Sequence, residues 1–358
     1  MGNRRSIFLY PFSIIWRIIT GFRNFLYDKK ILHSHKFDIP LICVGNITVG
    51  GTGKTPHAAY IIGLLKDKYN VALLSRGYKR RTRGFRIATP RTVTSDIGDE
   101  PFQISRKFPD ITVAVDSDRT RGIKKILELK PSTDVIILDD GYQHRRITPG
   151  LSLLLSDYER PMSRDHLLPF GDLRESIRNV DRADIMIITK TPENIPVENQ
   201  KIAEAETGIP AEKKLFYSDF IYLDPVPLSD KASQPGHLPS DPECGILLIT
   251  GVASPEPLYR HLLRYYKKII HLSFSDHHYF TMKDIRKIQD AWDKLGTERK
   301  YIITTEKDAV RIRELTFFPE TLLSSTYYIP VEVNFLNNKK EEFDNLIIEY
   351  VRKNKRNN

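Results

Sequence analysis

Leu41-Ile42-Cys43-Val44-Gly45-Asn46-Ile47-Thr48-Val49-Gly50-Gly51-Thr52-Gly53-Lys54-Thr55-Pro56 decides how this chain folds. An apolar run ends in a glycine-rich turn, and a helix-like stretch follows it to about Lys66. Strand, turn and helix with Gly-Lys-Thr at the junction make a phosphate-binding loop. Glycines allow a turn tight enough to aim successive N–H groups at phosphate oxygens, and the positive end of the helix lies at the same point. Lys54 then reaches the terminal phosphates, and Thr55 offers its hydroxyl to Mg²⁺. Thr48, Gly50, Gly51, Thr52 and Gly53 complete the loop. One position is irregular, because Thr48 stands where the eight-residue motif normally begins with glycine. A glycine-rich helix cap is the plainer reading, but Gly-Lys-Thr between strand and helix is rarely only that.

Outward from the loop, short apolar runs recur at 71–74, 111–115, 135–138, 151–155 and 185–188, with helical stretches such as 117–130 between some of them. That alternation predicts an α/β, P-loop NTPase-like fold with a largely parallel sheet covered by helices. Active groups then gather at the carboxyl ends of the strands. Four polar motifs stand there: Ser75-Arg76-Gly77-Tyr78, Asp116 to Arg119, Asp139-Asp140-Gly141-Tyr142-Gln143-His144, and Thr189-Lys190. Asp139 and Asp140 close a buried run beside the loop, where a carboxylate serves Mg²⁺ directly or through water. In a continuing strand the two point to opposite sides, which leaves open the one that faces the ion. GTP-binding proteins place an Asp two residues after the Lys of a motif like Thr189-Lys190; Pro192 occupies that place, which favours ATP.

A length of 358 residues suits two lobes rather than one small core. A smaller second α/β lobe is expected from about residue 216. A connecting strand over 216–223 leads into a Pro- and Ser-rich loop over 224–242, and strands follow at 245–250 and 301–304. The chain thus divides into a helix over 1–30, a nucleotide-binding catalytic lobe over 31–215 and a C-terminal lobe over 216–358. Cys43 and Cys244 lie far apart in apolar runs. They form neither a disulfide framework nor a metal site, and they point to a reducing, cytosolic compartment.

The net charge of +10 is clustered. Residues 1–38 hold Arg4, Arg5, Arg17, Arg23, Lys29, Lys30 and Lys36 against Asp28 and Asp38, and 76–91 hold seven basic residues and no acidic one. Such clusters face an anionic partner: nucleic acid, an anionic membrane or a phosphorylated substrate. The segment 7–27 is apolar but interrupted by Pro11, Arg17, Gly21 and Arg23, so it is too broken to span a bilayer. On a helix, Ser13, Arg17, Thr20, Asn24 and Asp28 form one polar stripe, while Phe12, Ile15, Trp16, Ile19, Phe22 and Leu26 cover most of the rest. A helix with that wide apolar face and basic flanks can lie in the headgroup region of an anionic membrane. Packing on the protein's own core is the alternative.

Taken together, these motifs resemble the tetraacyldisaccharide 4'-kinases of lipid A biosynthesis over nearly the whole chain. The resemblance rests on Gly45 to Pro56, Ser75-Arg76-Gly77-Tyr78, Gly98-Asp99-Glu100-Pro101, Asp139 to His144, Leu173-Arg174-Glu175, Asp276-His277-His278 and Thr305-Glu306-Lys307-Asp308-Ala309. Thr48 is ordinary in that family. Departures are slight: Tyr142 stands where Phe is frequent, and Phe170-Gly171-Asp172 replaces an Ala-Gly-Pro-like run. The resemblance implies transfer of the γ-phosphoryl group of ATP, with Mg²⁺, to the 4'-hydroxyl of a lipid-linked glucosamine disaccharide 1-phosphate. It implies work at the cytoplasmic face of the bacterial inner membrane, as a peripheral or monotopic enzyme. Asp99 would take the hydroxyl proton, assisted by a histidine of the Asp-His-His motif, most simply His277, with Lys54 neutralising charge. Glu175 joins Thr55, Asp139 and Asp140 as a candidate for Mg²⁺. Arg76, Tyr78, Arg119, Gln143, His144 and Arg174 would line the disaccharide and its phosphate. Without the resemblance, Asp99 reads as a helix N-cap, His277 and His278 as a surface turn, and Glu175 as an exposed ion pair on a helix. Two rival classes remain, a membrane-associated switch or partner-loading ATPase and a nucleic-acid-dependent ATPase, the latter without any recognisable nucleic-acid module.

Overall fold

The structure, a computed structural model, describes residues 6–229 and 243–355. The basic residues Arg4 and Arg5 and most of the Pro- and Ser-rich loop at 224–242 lie outside the described residues. Eight strands of the large sheet appear first along the chain: β1 Leu41–Gly45, β2 Val71–Ser75, β3 Arg86–Ile87, β4 Thr112–Val115, β5 Val135–Asp139, β6 Leu151–Asp157, β7 Ile185–Thr189 and β8 Lys214–Tyr222. A smaller sheet follows with β9 Val226–Pro227, β10 Gly245–Thr250, β11 Lys268–Ser273, β12 Lys300–Thr305 and β13 Thr326–Ile329, before β14 Val331–Phe335.

The large sheet has the order β14-β8-β7-β6-β1-β5-β2-β4-β3 and the small one β11-β10-β12-β13-β9. All pairings from β8 to β4 are parallel, and antiparallel strands stand only at the edges. The central strands are buried at every position, as a sheet with helices on both faces requires. Ile42, Val44, Leu73, Ile137 and Ile187 face one apolar core, and Cys43, Leu74, Ile136, Leu138 and Met186 the other.

The expected lobe boundary at 216 needs correcting. β8 belongs to the large sheet, paired with β7, and after β13 the chain returns to that sheet as β14 and the helix Lys340–Asn354. Phe216, Val333, Phe335, Phe343, Ile347 and Val351 share a core with Ile61 and Leu65. The small lobe is therefore inserted between two strands of the large one. Burial of alternate residues in β14 and of the helix's apolar stripe decides this, and neither signal names the sheet it joins.

Helix α1, Tyr10–Asp28, has Pro11 in its first turn. Its packing is inverted. Ser13, Thr20 and Asn24 are only 6%, 7% and 4% exposed, whereas Phe8 just before it is 82% exposed, Ile18 64% and Phe22 62%. The polar stripe docks on polar protein: Ser13 Oγ donates to the Leu167 carbonyl (2.9 Å), Trp16 Nε1 to the Arg174 carbonyl (2.9 Å) and Asn24 Nδ2 to Glu175 Oε2 (3.1 Å). Among the described residues no helix is long and apolar enough to cross a membrane.

Candidate active site

The carboxyl ends of β1, β5 and β7 in the large sheet and of β10, β11 and β12 in the small one open onto a single cleft of about 740 Å³. On one wall stands the loop 49–55, entering helix α2, Lys54–Leu65. Gly50 (φ +108°) and Gly53 (φ +84°) take the left-handed conformation that only glycine adopts cheaply. A Cβ on Gly53 would also stand 2.5 Å from Phe220 Cζ. Asn46 organises the turn. Its Nδ2 donates to Thr52 Oγ1 (2.9 Å) and Thr48 Oγ1 (3.4 Å), and its Oδ1 accepts from Lys54 Nζ (3.2 Å). The irregular Thr48 thereby gains a role: buried, it accepts from Asn46 and pairs through its backbone with Leu173.

Below the loop, His57 is fully buried. The Gly53 carbonyl can only accept, so Nδ1 (2.8 Å) carries the proton and Nε2 accepts from Ser218 Oγ (3.0 Å). Burial pushes the imidazole down to about 4, against the Gly53 hydrogen bond. A buried neutral histidine with a lowered pKa contributes stability above pH 6.5 that is lost as pH falls toward 4. Urea unfolding should therefore show the parent losing about 3 kcal/mol more than His57→Gln between pH 7 and pH 4. Equal losses would deny that His57 stays neutral.

Asp139 ends β5, and Asp140 turns away with φ +49°. The alternation expected of a continuing strand does not apply. Asp140 lines the cleft, 3.6 Å from Lys54 Nζ and paired with Arg174 Nη1 (2.9 Å). Asp139 is buried behind it, accepting from Ser75 Oγ (3.2 Å), with its Oδ1 lacking a hydrogen-bond partner among the described residues. Burial, then Glu100 and Asp140, raise the Asp139 pKa.

Across the cleft, the small lobe brings His277, in the left-handed conformation (φ +57°), to Asp99 at the start of the helix Asp99–Lys107. His277 Nδ1 lies 2.8 Å from Asp99 Oδ2. His278 is excluded from this pairing, since its Nε2 meets Asp284 (3.0 Å) in the cap of the helix Met282–Lys294. The N-cap position before Asp99 is Gly98, not Asp99. Burial opposes ionisation of Asp99, but hydrogen bonds from His277 and Arg311 overcome it and hold the carboxyl at about 2. Lys307 Nζ bridges Glu100 (3.3 Å), Asp276 (3.2 Å) and His277 Nε2 (3.1 Å). The two lobes thus meet at Asp99 and His277 in the structure as it stands.

A family profile described as tetraacyldisaccharide-1-P 4'-kinase matches residues 5–352. The chain belongs to the tetraacyldisaccharide-1-P 4'-kinase family. It is 46% identical to the tetraacyldisaccharide 4'-kinase of Parabacteroides distasonis over 96% of this chain and 94% of the relative. It is 44% identical to that of Bacteroides thetaiotaomicron over 98% and 94%. The crystal structure of LpxK from Aquifex aeolicus in complex with ATP superposes with a TM-score of 0.71 at 28% identity, covering 96% of this chain and 98% of that one. The α/β architecture with a nucleotide loop at the centre of the parallel sheet is that of this 4'-kinase family.

Within this 4'-kinase family member the other expected site residues divide. Tyr78 and Arg174 line the cleft, and the Tyr78 ring meets His277 edge-on at 5.1 Å. Arg76 is exposed, and Gln143 donates to the Asn46 carbonyl (2.5 Å) outside the cleft lining. His144 is lowered to about 4 by burial and then by Arg119. Arg119 needs correcting: it is 2% exposed and donates to the carbonyls of Asp116 (2.6 Å) and Asp139 (3.2 Å), so it props the strand ends. Glu175 also needs correcting. It is neither exposed nor helical but fully buried, with Asn24 and Asn179 on Oε2 and Arg182 and Gln143 on Oε1. All its acceptor sites serve the protein, and it lies off the cleft. Tyr142, in place of the more frequent Phe, finds a partner for its hydroxyl in the Asn179 carbonyl (2.6 Å). Lys190, Lys307, Glu100 and Arg311 were not assigned roles from sequence. A charged residue next to a strand end was the available signal for Lys190 and Lys307.

The donor set suits Mg²⁺, which in phosphoryl-transfer sites takes one or two protein oxygens and completes its shell from phosphate and water. Thr55 and Asp140 offer oxygens on the cleft wall, and Asp139 Oδ1 is a buried carboxylate oxygen still free to accept.

Proposed function

We propose that the chain works at an anionic membrane surface, moving the γ-phosphoryl group of ATP to the 4'-hydroxyl of a tetraacyl glucosamine disaccharide 1-phosphate. ATP-dependent 4'-kinase activity in lipid A biosynthesis follows from family membership. The observation that carries the chemistry is the Asp99–His277 pair held opposite the phosphate loop across one cleft. Loop N–H groups and Lys54 bind and orient the triphosphate, and Lys54 balances the charge that spreads onto the departing β-phosphate. Thr55 and Asp140 would hold Mg²⁺, with Asp139 through water, and the bound ion would neutralise charge on the β- and γ-phosphates. Asp99 and His277 align the acceptor hydroxyl and take up its proton. Tyr78, Lys79 and Arg174 line the cleft near that pair and the loop, placed to meet sugar and phosphate.

The inverted helix α1 supports the membrane reading. Ser13, Thr20 and Asn24 of its polar stripe are buried against the protein, so Tyr10, Phe12, Ile14, Ile15, Ile18, Ile19, Phe22 and Phe25 face outward. Placing such a face in a bilayer interface gains on the order of 10 kcal/mol of gross transfer free energy. Ile18→Glu with Phe22→Glu should abolish sedimentation with anionic vesicles and leave the thermal midpoint within about 2 °C of the parent. Deleting the helix is the poorer test, because it uncovers Glu175. Retained sedimentation of the double variant would refute the membrane face.

A switch or partner-loading ATPase has no use for an acceptor-side Asp–His pair. ADP release that rises steeply on adding the disaccharide lipid supports the kinase, and release indifferent to the acceptor supports the switch.

A further inference from the structure

The basic segment 76–91 carries seven cations and no acidic residue, and the cleft accounts for few of them. Lys79 lines the cleft, and Arg80 is spent on the backbone: its Nη2 donates to the Gly84 carbonyl (2.7 Å) and its Nη1 to the Val115 carbonyl (3.4 Å), which folds the loop 77–84 back over the end of β4. Arg81, Arg83 and Arg86 are exposed, and none of the three forms an ion pair among the described residues. Their counter-charge therefore comes from outside the chain. Topology sets where they lie. β1, β5, β2 and β4 are neighbouring parallel strands, so the chain leaves all four at one edge of the sheet. Ser75, the last residue of β2, bonds Asp139, the last of β5 (3.2 Å), and Arg86 opens β3 opposite Val115, the last of β4. The loop after β5 carries Arg145, paired with Asp28 at the end of α1 (2.7 Å), and then the exposed Arg146. One rim thus runs from the outward apolar face of α1 through Arg146 and Arg76 to Arg81, Arg83 and Arg86. The small lobe joins its far end, where Tyr279 Oη donates to the Lys79 carbonyl (3.3 Å) and leaves its ring and Met282 exposed.

We propose that this arginine rim is a second membrane contact, one that meets the phosphates of anionic phospholipids and turns the mouth of the cleft toward the bilayer. The inference rests on the membrane reading of α1 and gives a partner to a surface that reading leaves bare. An apolar face alone, or a basic patch alone, holds a protein to a bilayer only marginally, whereas the two together anchor it. Each arginine near an anionic surface adds its own attraction, and the sum falls as salt screens it. Tyr78 and Lys79 belong both to the cleft lining and to this rim, so a rim seated on headgroups places the cleft beside them. Nucleic acid is the other polyanion that an arginine cluster meets. Continuity with the apolar face of α1, which a phosphate backbone does not cover, favours the bilayer.

The experiment measures partitioning of the full chain, and of the combined variant Arg81→Gln, Arg83→Gln, Arg86→Gln, onto vesicles of phosphatidylcholine and onto vesicles with an equal part of phosphatidylglycerol. On the mixed vesicles at low salt the variant should bind about 100-fold more weakly than the parent, the attraction of three surface cations, and the gap should close as salt is raised. On phosphatidylcholine the two should bind alike. The combined variant Arg81→Lys, Arg83→Lys, Arg86→Lys keeps the charges and should stay within about threefold of the parent on mixed vesicles. An undiminished glutamine variant, an equal loss on both kinds of vesicle, or a lysine variant as weak as the glutamine one overturns the proposal. So does a parent that binds a DNA duplex of arbitrary sequence as tightly as it binds the mixed vesicles. Transfer to the disaccharide lipid dispersed in neutral detergent separates headgroups from substrate: kcat/KM of the glutamine variant should match the parent's there. A loss of about tenfold or more would mean that the arginines hold the acceptor's own phosphate, and would overturn the bilayer contact. A parent that binds neither kind of vesicle refutes the membrane reading of α1 instead.

Discussion

Asp99→Asn should lower kcat by about 10³- to 10⁴-fold while leaving ATP affinity within about twofold of the parent. Arg311 Nη2 and His277 Nδ1 both meet the same carboxylate oxygen, Oδ2, so the amide oxygen takes that place and accepts from both. The amide carries no charge, so an imidazolium formed at His277 would stand beside the Arg311 guanidinium with no anion to balance it. The pair survives in shape but loses the negative charge that stabilises proton uptake. Asp99→Ala is less informative, since it strands the buried guanidinium of Arg311 at a cost of about 3 kcal/mol or more. Single-turnover transfer from labelled ATP, with calorimetric titration of ATP, reads both quantities. Parental turnover in Asp99→Asn would remove the carboxylate from the mechanism.

Lys54→Met is expected to reduce kcat/KM for ATP by about 10³-fold with little loss of stability. The ammonium is already held at the cleft wall by Asn46 (3.2 Å) and Asp140 (3.6 Å), with its side chain 12% exposed. Methionine keeps the length and volume but supplies no charge at the developing negative β-phosphate. Asp140 keeps its bonds to Arg174 at 2.9 and 3.0 Å, so no buried carboxylate is left alone. Steady-state kinetics with a melting curve separate the outcomes. A KM increase with kcat intact would mean that Lys54 binds the ground and transition states equally.

The parts of this enzyme that were legible in the sequence are those fixed locally. Gly-Lys-Thr after an apolar run, four buried strands with polar motifs at their ends, and the ordered motifs that carry the family likeness are all readable over short distances. What escaped depends on which side of an element faces inward. The stripe Ser13, Thr20, Asn24 was visible, but hydropathy alone turns such a stripe to solvent, and only Glu175, Arg174 and Leu167 across the contact turn it in. Glu175 reads as an Mg²⁺ candidate and Arg119 as a substrate contact because the partners that bury them are distant in sequence or are backbone carbonyls. Arg311 had one local sign, Asp308 three residues before it on the same helix face, and that spacing is common on solvated helices. The return of β14 to the large sheet is a choice between two parallel sheets that no periodicity encodes.

The central claim is transfer to a sugar hydroxyl rather than hydrolysis. The direct measurement incubates the protein with γ-labelled ATP, Mg²⁺ and vesicles bearing the tetraacyl disaccharide 1-phosphate, then follows the label and its position by phosphorus NMR. The label should appear on the lipid as a second monoester at the 4' carbon, in equal amount to the ADP formed. Label recovered only as inorganic phosphate, with the lipid unchanged, would contradict the account.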